Sequence, residues 1–235
     1  MITALRSIVF MLFFYPGSLI LVLTALLMGQ FSPPMVQRVA TVWGQFHRLC
    51  ARWFLGQKVR IEGDLPLGDY LYIVKHESMF ETIDLLCVFD RPVIAAKREL
   101  FDIPLWGIIA ERYGLIPIER TAGAAAMRTL RTSAKAANAA GRAVCIFPEG
   151  TRVPHGEAPP LRAGFAGLYT LLGLPVVPIA IDSGLVSPRG SWMKKAGTVT
   201  YKVGEIVPTG LDRREAERLV HAAINALNPP SALDQ

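Results

Sequence analysis

Histidine is the side chain best suited to take a hydroxyl proton near neutral pH, and His76 stands in the segment KHESMFETID, Lys75 to Asp84, directly after the apolar run YLYIV. A carboxylate on its other ring nitrogen would fix the tautomer and stabilise the imidazolium. Two acids compete for that place, Glu81 and Asp84, three residues apart on one helix face. On one continuous helix His76 and Glu81 would sit about 140° apart and could not meet. The pair therefore requires His76 on the loop after a strand and Glu81 in the first turn of the next helix. The same residues spell S-x-x-E from Ser78 to Glu81, a capping box in which Glu81 bonds the Ser78 backbone N–H instead. Both geometries are open from the sequence.

A second group is FPEGTR, Phe147 to Arg152, again after an apolar β-type run, AVCIF. Gly150 would let backbone N–H groups approach an oxyanion, Thr151 adds a hydroxyl donor, and Arg152 can clamp a phosphate through two parallel hydrogen bonds. GLIPIER, Gly114 to Arg120, is a third, and the cluster Lys97, Arg98 and Glu99 after the run VIAA is a fourth. Each alone is also compatible with an ordinary turn or a solvated charge pair. Their shared placement at strand ends is the stronger signal, because ligand sites of α/β sheets assemble there.

These groups need elements to hold them. Strands are expected at Lys58 to Ile61, Tyr70 to Val74, Val93 to Ala96, Leu115 to Ile118, Val144 to Phe147, Val176 to Ile181 and Val199 to Val203. Helical patterns lie between them at about 79 to 89, 123 to 140, 162 to 172 and 212 to 227, the last opening on Asp212 and Glu215 as a capping-box-like pair. The alternation predicts an α/β fold, a mixed sheet flanked by helices and largely buried.

The N-terminus is different. No charged residue occurs between Arg6 and Arg38, and Ser7 to Gly29 is apolar for the length a helix needs to reach across a bilayer core. Tyr15, Pro16 and Gly17 interrupt it, so a spanning helix, kinked or not, and a re-entrant helical hairpin are both open. After Ser32 and Pro33 a second helix is expected to run to about Leu55, with Gly56 ending it. It carries an apolar stripe of Val39, Val42, Trp43, Phe46, Leu49, Cys50 and Trp53 beside Arg38, Arg48 and Arg52. Lys58 and Arg60 follow, which makes a basic, Trp-bearing face suited to an anionic leaflet and to the cytoplasmic side. The expected division is a membrane anchor with its amphipathic helix over 1–56 and an α/β domain over 57–235.

Composition agrees. The 235 residues are 51% hydrophobic and only 19% charged, with a net charge of +6, which excludes disorder and favours an anionic partner. The three cysteines, Cys50, Cys87 and Cys145, have neither disulfide-framework nor zinc spacing. No arginine–aromatic surface of a nucleic-acid module is present.

Taken in order, HESMFE, GLIPIER, FPEGTR and VVPIAID (Val176 to Asp182) resemble the sequence blocks of the glycerophospholipid acyltransferases, over about residues 70 to 182. Glu81 stands where most members have Asp, and Arg162 in LRAG stands in a Lys position. The resemblance implies an O-acyltransferase that makes phosphatidic acid from lysophosphatidic acid. His76 would be the general base and Glu81 its orienter. Arg120, Glu149, Gly150, Thr151, Arg152 and Lys97 would hold the glycerol phosphate. It implies no metal or cofactor, and acyl-CoA or acyl carrier protein as the thioester co-substrate. Phe101, Trp106 and Ile108 are suggested for an apolar acyl tunnel. The expected location is the inner membrane, with membrane lysophospholipid as partner and the catalytic domain on the cytoplasmic face. Two alternatives stand beside this reading: a different acceptor, such as lyso-ornithine lipid or glycerol 3-phosphate, and a non-catalytic lipid-binding protein.

Overall fold

The computed structural model describes residues 1–118, 123–162 and 164–229. Its centre is a seven-stranded sheet: β1 (Gln57–Glu62), β2 (Leu71–Val74), β3 (Val93–Lys97), β4 (Ile116–Ile118), β5 (Val144–Ile146), β6 (Val176–Ile181) and β7 (Gly197–Val203), in the order β1-β7-β6-β2-β5-β3-β4. β2 lies near the middle, parallel to β5 and β6, and only the β6–β7 pairing is antiparallel. The C-terminal ends of β2, β5, β3 and β6 therefore open on one edge of the sheet.

Among the described residues seven α-helices surround it: α1 (Ile2–Met28), α2 (Pro33–Cys50), α3 (Met79–Val88), α4 (Trp106–Tyr113), α5 (Gly123–Ala139), α6 (Gly164–Leu172) and α7 (Arg213–Ile224). The pleat divides them. Tyr72 and Val74 of β2 face a core shared with Phe10 and Phe14 of α1, Cys50 of α2 and Phe80 and Ile83 of α3. Leu71 and Ile73 face a second core with Leu130 of α5, Phe165 and Tyr169 of α6 and Val220 and Ile224 of α7. The N-terminal helices thus share a core with the sheet.

α4 and the 3-10 turn before it, Arg98–Asp102, were not expected from the sequence. α4 has eight residues and starts from Leu105 at φ 66°, a conformation that nothing in its residue type announces. At the start of α7, Asp212 caps the Arg214 N–H as expected, but Glu215 reaches forward to Arg218 at 2.7 Å instead of back to the cap.

α1 runs unbroken through Pro16, because the missing N–H falls on the exposed outer side. Gly17 makes room for α2, since a Cβ there would run into the Phe46 ring. Gly44 does the same between α2 and α3, where a Cβ would lie 2.9 Å from Leu86. α2 continues through a π-type turn, Ala51–Leu55, and Gly56 ends it at φ 73°.

The stripe of α2 splits between core and surface. Trp43, Phe46 and Cys50 pack inward, whereas Val42, Leu49 and Trp53 stay exposed with Arg38 and Arg52. Arg48 departs from the expectation of a lipid-facing cation. Its Nε and Nη2 grip both oxygens of Asp84, the latter at 2.9 Å, and Asp84 is fully buried. His47 beside it is edge-on to Phe10, Phe14 and Phe80; burial lowers its pKa to about 3, so it packs as a neutral ring.

Removing one partner of a buried ion pair strands the other charge away from water. Arg48→Met is expected to cost about 3 kcal/mol, which lowers Tm by about 6–12 °C in a chain of this size. Thermal denaturation followed by circular dichroism checks it. An unchanged Tm would mean that water already reaches Asp84.

Candidate active site

β2 ends at Val74 and the chain turns through Lys75, His76 and Glu77 before Ser78 caps α3. Ser78 Oγ accepts from the Phe80 N–H at 3.1 Å. In return Glu81 Oε1 accepts from the Ser78 N–H at 2.6 Å, which completes the capping box, and from the Glu77 N–H at 2.7 Å. The same oxygen lies 2.9 Å from His76 Nδ1. The two geometries open in the sequence therefore coexist: one carboxylate caps the helix and holds the imidazole. Its other oxygen accepts from Ser183 Oγ at 2.7 Å, just past the end of β6. Asp84, the rival, is taken by Arg48.

With Nδ1 engaged, Nε2 is the ring nitrogen left for chemistry, and no polar group engages it among the described residues. The His76 side chain is 16% exposed. Phe147, the first residue of FPEGTR, stacks on the ring with centroids 4.1 Å apart. Val153 N–H donates to His76 O at 2.7 Å, so the FPEGTR loop is fastened to the histidine loop at both ends.

Glu149 is not placed to meet a phosphate. It is buried, 3.6 Å from Lys75 Nζ and 3.5 Å from the His76 backbone N, and burial raises its pKa. Its work here is to tie the two loops together. Gly150 adopts φ 65° and, with Thr151 and Arg152, forms the half-buried outer part of the turn. Arg152 has no carboxylate partner among the described residues. Its charge lies close enough to Lys194 to help lower the ammonium pKa, behind burial as the larger cause. Arg162 supports the turn, donating through Nε to Glu149 O at 3.3 Å. Lys97 is exposed at the end of β3, two strands from β2. Arg120 lies outside the described residues.

Several of these residues carry no local signal. Lys75 is almost wholly buried, donating to Glu157 O at 2.9 Å and Asn225 Oδ1 at 2.6 Å. Glu77 is buried against His155 Nδ1 at 3.0 Å and the Gly184 N–H at 2.8 Å. Ser183, Lys194 and His155 fall outside the strands and helices expected from the sequence. Only the topology brings them together.

Among α1, α2, α3 and α4 lies an apolar cavity of about 130 Å³. Leu21, Val39, Trp43, Met79, Ile83 and Trp106 are among its walls. Of the three residues suggested for a tunnel, Trp106 lines it. Phe101 is buried elsewhere, and Ile108 points outward, 46% exposed, because α4 turns its other face to the cavity. No group of three or more His, Cys, Asp or Glu suited to a metal occurs among the described residues.

Comparisons with known proteins point to one family. The family model described as Acyltransferase matches residues 57–182. A 1-acyl-sn-glycerol-3-phosphate acyltransferase of Pseudomonas aeruginosa is 31% identical over 164 residues, 69% of this chain and 64% of that protein. The human 1-acyl-sn-glycerol-3-phosphate acyltransferase beta is also 31% identical, over 75% of this chain and 66% of its own. The chain thus spans slightly less than two thirds of these relatives. The crystal structure of the 1-acyl-sn-glycerophosphate acyltransferase PlsC from Thermotoga maritima superposes with a TM-score of 0.75 at 20% identity, covering 98% of this chain and 99% of that one, which shows a shared fold.

The buried Glu77 gives the site a pH signature. Burial pushes its carboxyl from 4.5 up to about 8, against the opposing pull of the Gly184 N–H and Lys75. The folded chain therefore keeps a proton that the unfolded chain gives up. That contribution to stability is full below about 4.5 and is lost as pH rises through about 8. Glu77→Gln is expected to flatten the fall of Tm across this window, measured by melts at successive pH values. Parallel wild-type and variant curves would contradict it.

Proposed function

The chain belongs to the Acyltransferase family, and from that premise we propose that it moves a fatty acyl group from an acyl thioester to the free hydroxyl of lysophosphatidic acid, yielding phosphatidic acid. The observation that carries this reading is the His76–Glu81 pair at 2.9 Å, held on a loop fastened to an arginine-bearing turn. His76 Nε2 removes the hydroxyl proton as the oxygen attacks the thioester carbonyl carbon. The tetrahedral intermediate collapses with cleavage of the C–S bond, and the imidazolium returns the proton to the departing thiolate. Glu81, shut away from water, keeps Nδ1 protonated and stabilises the imidazolium between the two steps. No covalent acyl-enzyme is needed.

Arg152 and Lys194, two neighbouring cations with no carboxylate partner among the described residues, suit the substrate phosphate. Thr151 supplies a hydroxyl donor beside them, while the Gly150 N–H is taken by Phe147 O at 3.1 Å and shapes the turn; Lys97 and Arg120 are proposed as further cations for the phosphate. The apolar cavity accepts the acyl chain. Its wall includes Met79, the residue after the Ser78 cap, so a chain lying there brings its carbonyl toward His76. The donor is acyl-CoA or an acyl carrier protein thioester.

A substrate half-buried in a leaflet calls for an enzyme resting on it. α1 has 27 residues and is apolar enough to cross a bilayer, yet the domain is fastened along its whole length. Ser7 Oγ accepts from the Lys194 N–H at 2.9 Å near its start, and Arg112 Nη1 donates to Leu26 O at 3.3 Å near its end. Those anchors are about 28 Å apart along the helix, close to the thickness of a hydrocarbon core. A spanning α1 would drive Arg112 and Lys194 to opposite faces of the membrane. We therefore read α1 as lying in one leaflet of the inner membrane on the cytoplasmic side, its outer residues Leu5, Leu12, Leu19 and Leu23 facing lipid.

The test is purified full-length protein in mixed micelles with a panel of lysolipid acceptors and both thioester donors. Lysophosphatidic acid is expected to be preferred, and activity indifferent to the phosphate would overturn the acceptor. His76→Ala is expected to lower kcat by about 10³-fold or more with micelle binding retained. Arg152→Ala is expected to raise KM for lysophosphatidic acid about tenfold or more, the loss of one charge-assisted phosphate contact. Retained transfer by His76→Ala would remove His76 as the base, and no transfer by the wild type would leave a lipid-binding protein as the reading.

A further inference from the structure

Between Ser183 and Gly204 the chain has four cations, Arg189, Lys194, Lys195 and Lys202, and no acid. Most of them sit on a loop that joins the 3-10 turn Ser183–Leu185 to β7. The base of this loop is closed. Lys195 N–H donates to Val186 O at 2.8 Å, and the buried Gln57 amide donates to Ser187 Oγ at 3.0 Å and Lys195 O at 2.9 Å. Its tip turns through Gly190, at φ 77°, and Ser191 Oγ caps the Met193 N–H at 3.2 Å. What this built scaffold presents is apolar: Trp192 is 50% exposed and Met193 45%. A large ring held out by an ordered loop carries a cost in water that a wet surface does not repay.

The position of the tip says what repays it. Lys194 bonds Ser7 of α1, and Arg6 and Ala196 both border Gly56, so the loop adjoins the first turns of α1. Leu5 in those first turns, and Arg52 and Trp53 in the turn that precedes Gly56, are exposed, Trp53 by 74%. From the other side Arg189 Nη1 donates to Arg152 O at 2.7 Å, which joins the loop to the turn proposed to hold the substrate phosphate. Tryptophan with flanking cations is the composition that settles at a headgroup layer.

We propose that the loop Ser187–Lys195 is a second membrane contact, with Trp192 and Met193 set into the headgroup region of an anionic leaflet and Arg189 and Lys195 on lipid phosphates. This rests on the reading that the enzyme takes its acceptor from a leaflet, and it adds how the molecule is oriented there. α1 fixes one line of contact, and a second point beside Arg152 stops the domain from rolling about that line. The phosphate turn is then held at headgroup level.

Flotation and fluorescence of the full-length wild type and Trp192→Phe test it, using vesicles of phosphatidylcholine and phosphatidylglycerol with brominated acyl chains. The wild-type-minus-variant emission reports Trp192. It is expected to shift to the blue on vesicles, to be quenched by the brominated lipid, and to lose its quenching by aqueous iodide. Arg189→Gln with Lys195→Gln is expected to raise the lipid needed for half-binding about fivefold per charge on anionic vesicles, and little on neutral ones. Protein that floats while Trp192 stays open to iodide overturns the proposal and spares the leaflet reading. The same holds if Trp192 becomes protected only when acyl carrier protein is added, which would make the loop a protein-docking face. Protein that does not float at all overturns both.

Discussion

A carboxylate with no exposure to water has to spend both oxygens on donors, and Glu81 does so in a way that fixes most of the site. One oxygen takes two backbone N–H groups and the imidazole, and the other takes the Ser183 hydroxyl. Those donors come from the loop after β2 and from the segment after β6, so the cap of α3 also bolts two strand ends together. His76 has little freedom left: Nδ1 is held from one side, Phe147 covers one face of the ring, and its carbonyl is taken by Val153. An imidazole fixed this way needs little reorganisation as charge develops on it.

Beneath that layer lies a second set of buried polar groups, and its role is to hold loops. Lys75 reaches Asn225, just beyond α7, while Glu149 lies between Lys75 and the histidine backbone. Glu77 spans from His155 to Gly184. Each is costly to bury singly and tolerable in pairs. Together they make the loops after β2, β5 and β6 one unit, which is why a motif dispersed over a hundred residues can act as a single surface.

The strands, the capping box and the placement of the motifs at strand ends were all legible, because they rest on period, on turn chemistry and on spacing within a few residues. What was not legible is pairing across the fold. Arg48 reads as a lipid-facing cation on a helical wheel because the wheel says which residues share a face and nothing of what covers it; Asp84 of α3 covers it. The family resemblance implies Glu149 as a phosphate ligand, yet the buried Lys75 draws it inward. Phe101 and Ile108 lie off the cavity for a simpler reason: the 3-10 turn Arg98–Asp102 and the short α4, which begins at a strained Leu105, carry no local signal from which their facing could be assigned. Gly17 resembled a helix breaker and is a notch for Phe46.

α3 shows how the site and the membrane helices become one problem. Met79, Thr82, Ile83 and Leu86, at spacings of three, one and three, line the apolar cavity. Ser78 and Glu81 lie on a neighbouring face and hold the histidine, while Asp84 takes Arg48 and with it α2. One ten-residue helix therefore sets the distance between the proposed base and the proposed acyl cavity. Since Leu21, Val39 and Trp43 of α1 and α2 close that cavity from the far side, its shape depends on the helices that face the leaflet. Stripping them off would open the cavity to water and unbury Phe10, Phe14 and Cys50 from the core they share with β2. The part proposed to meet the lipid and the part proposed to do the chemistry share one core.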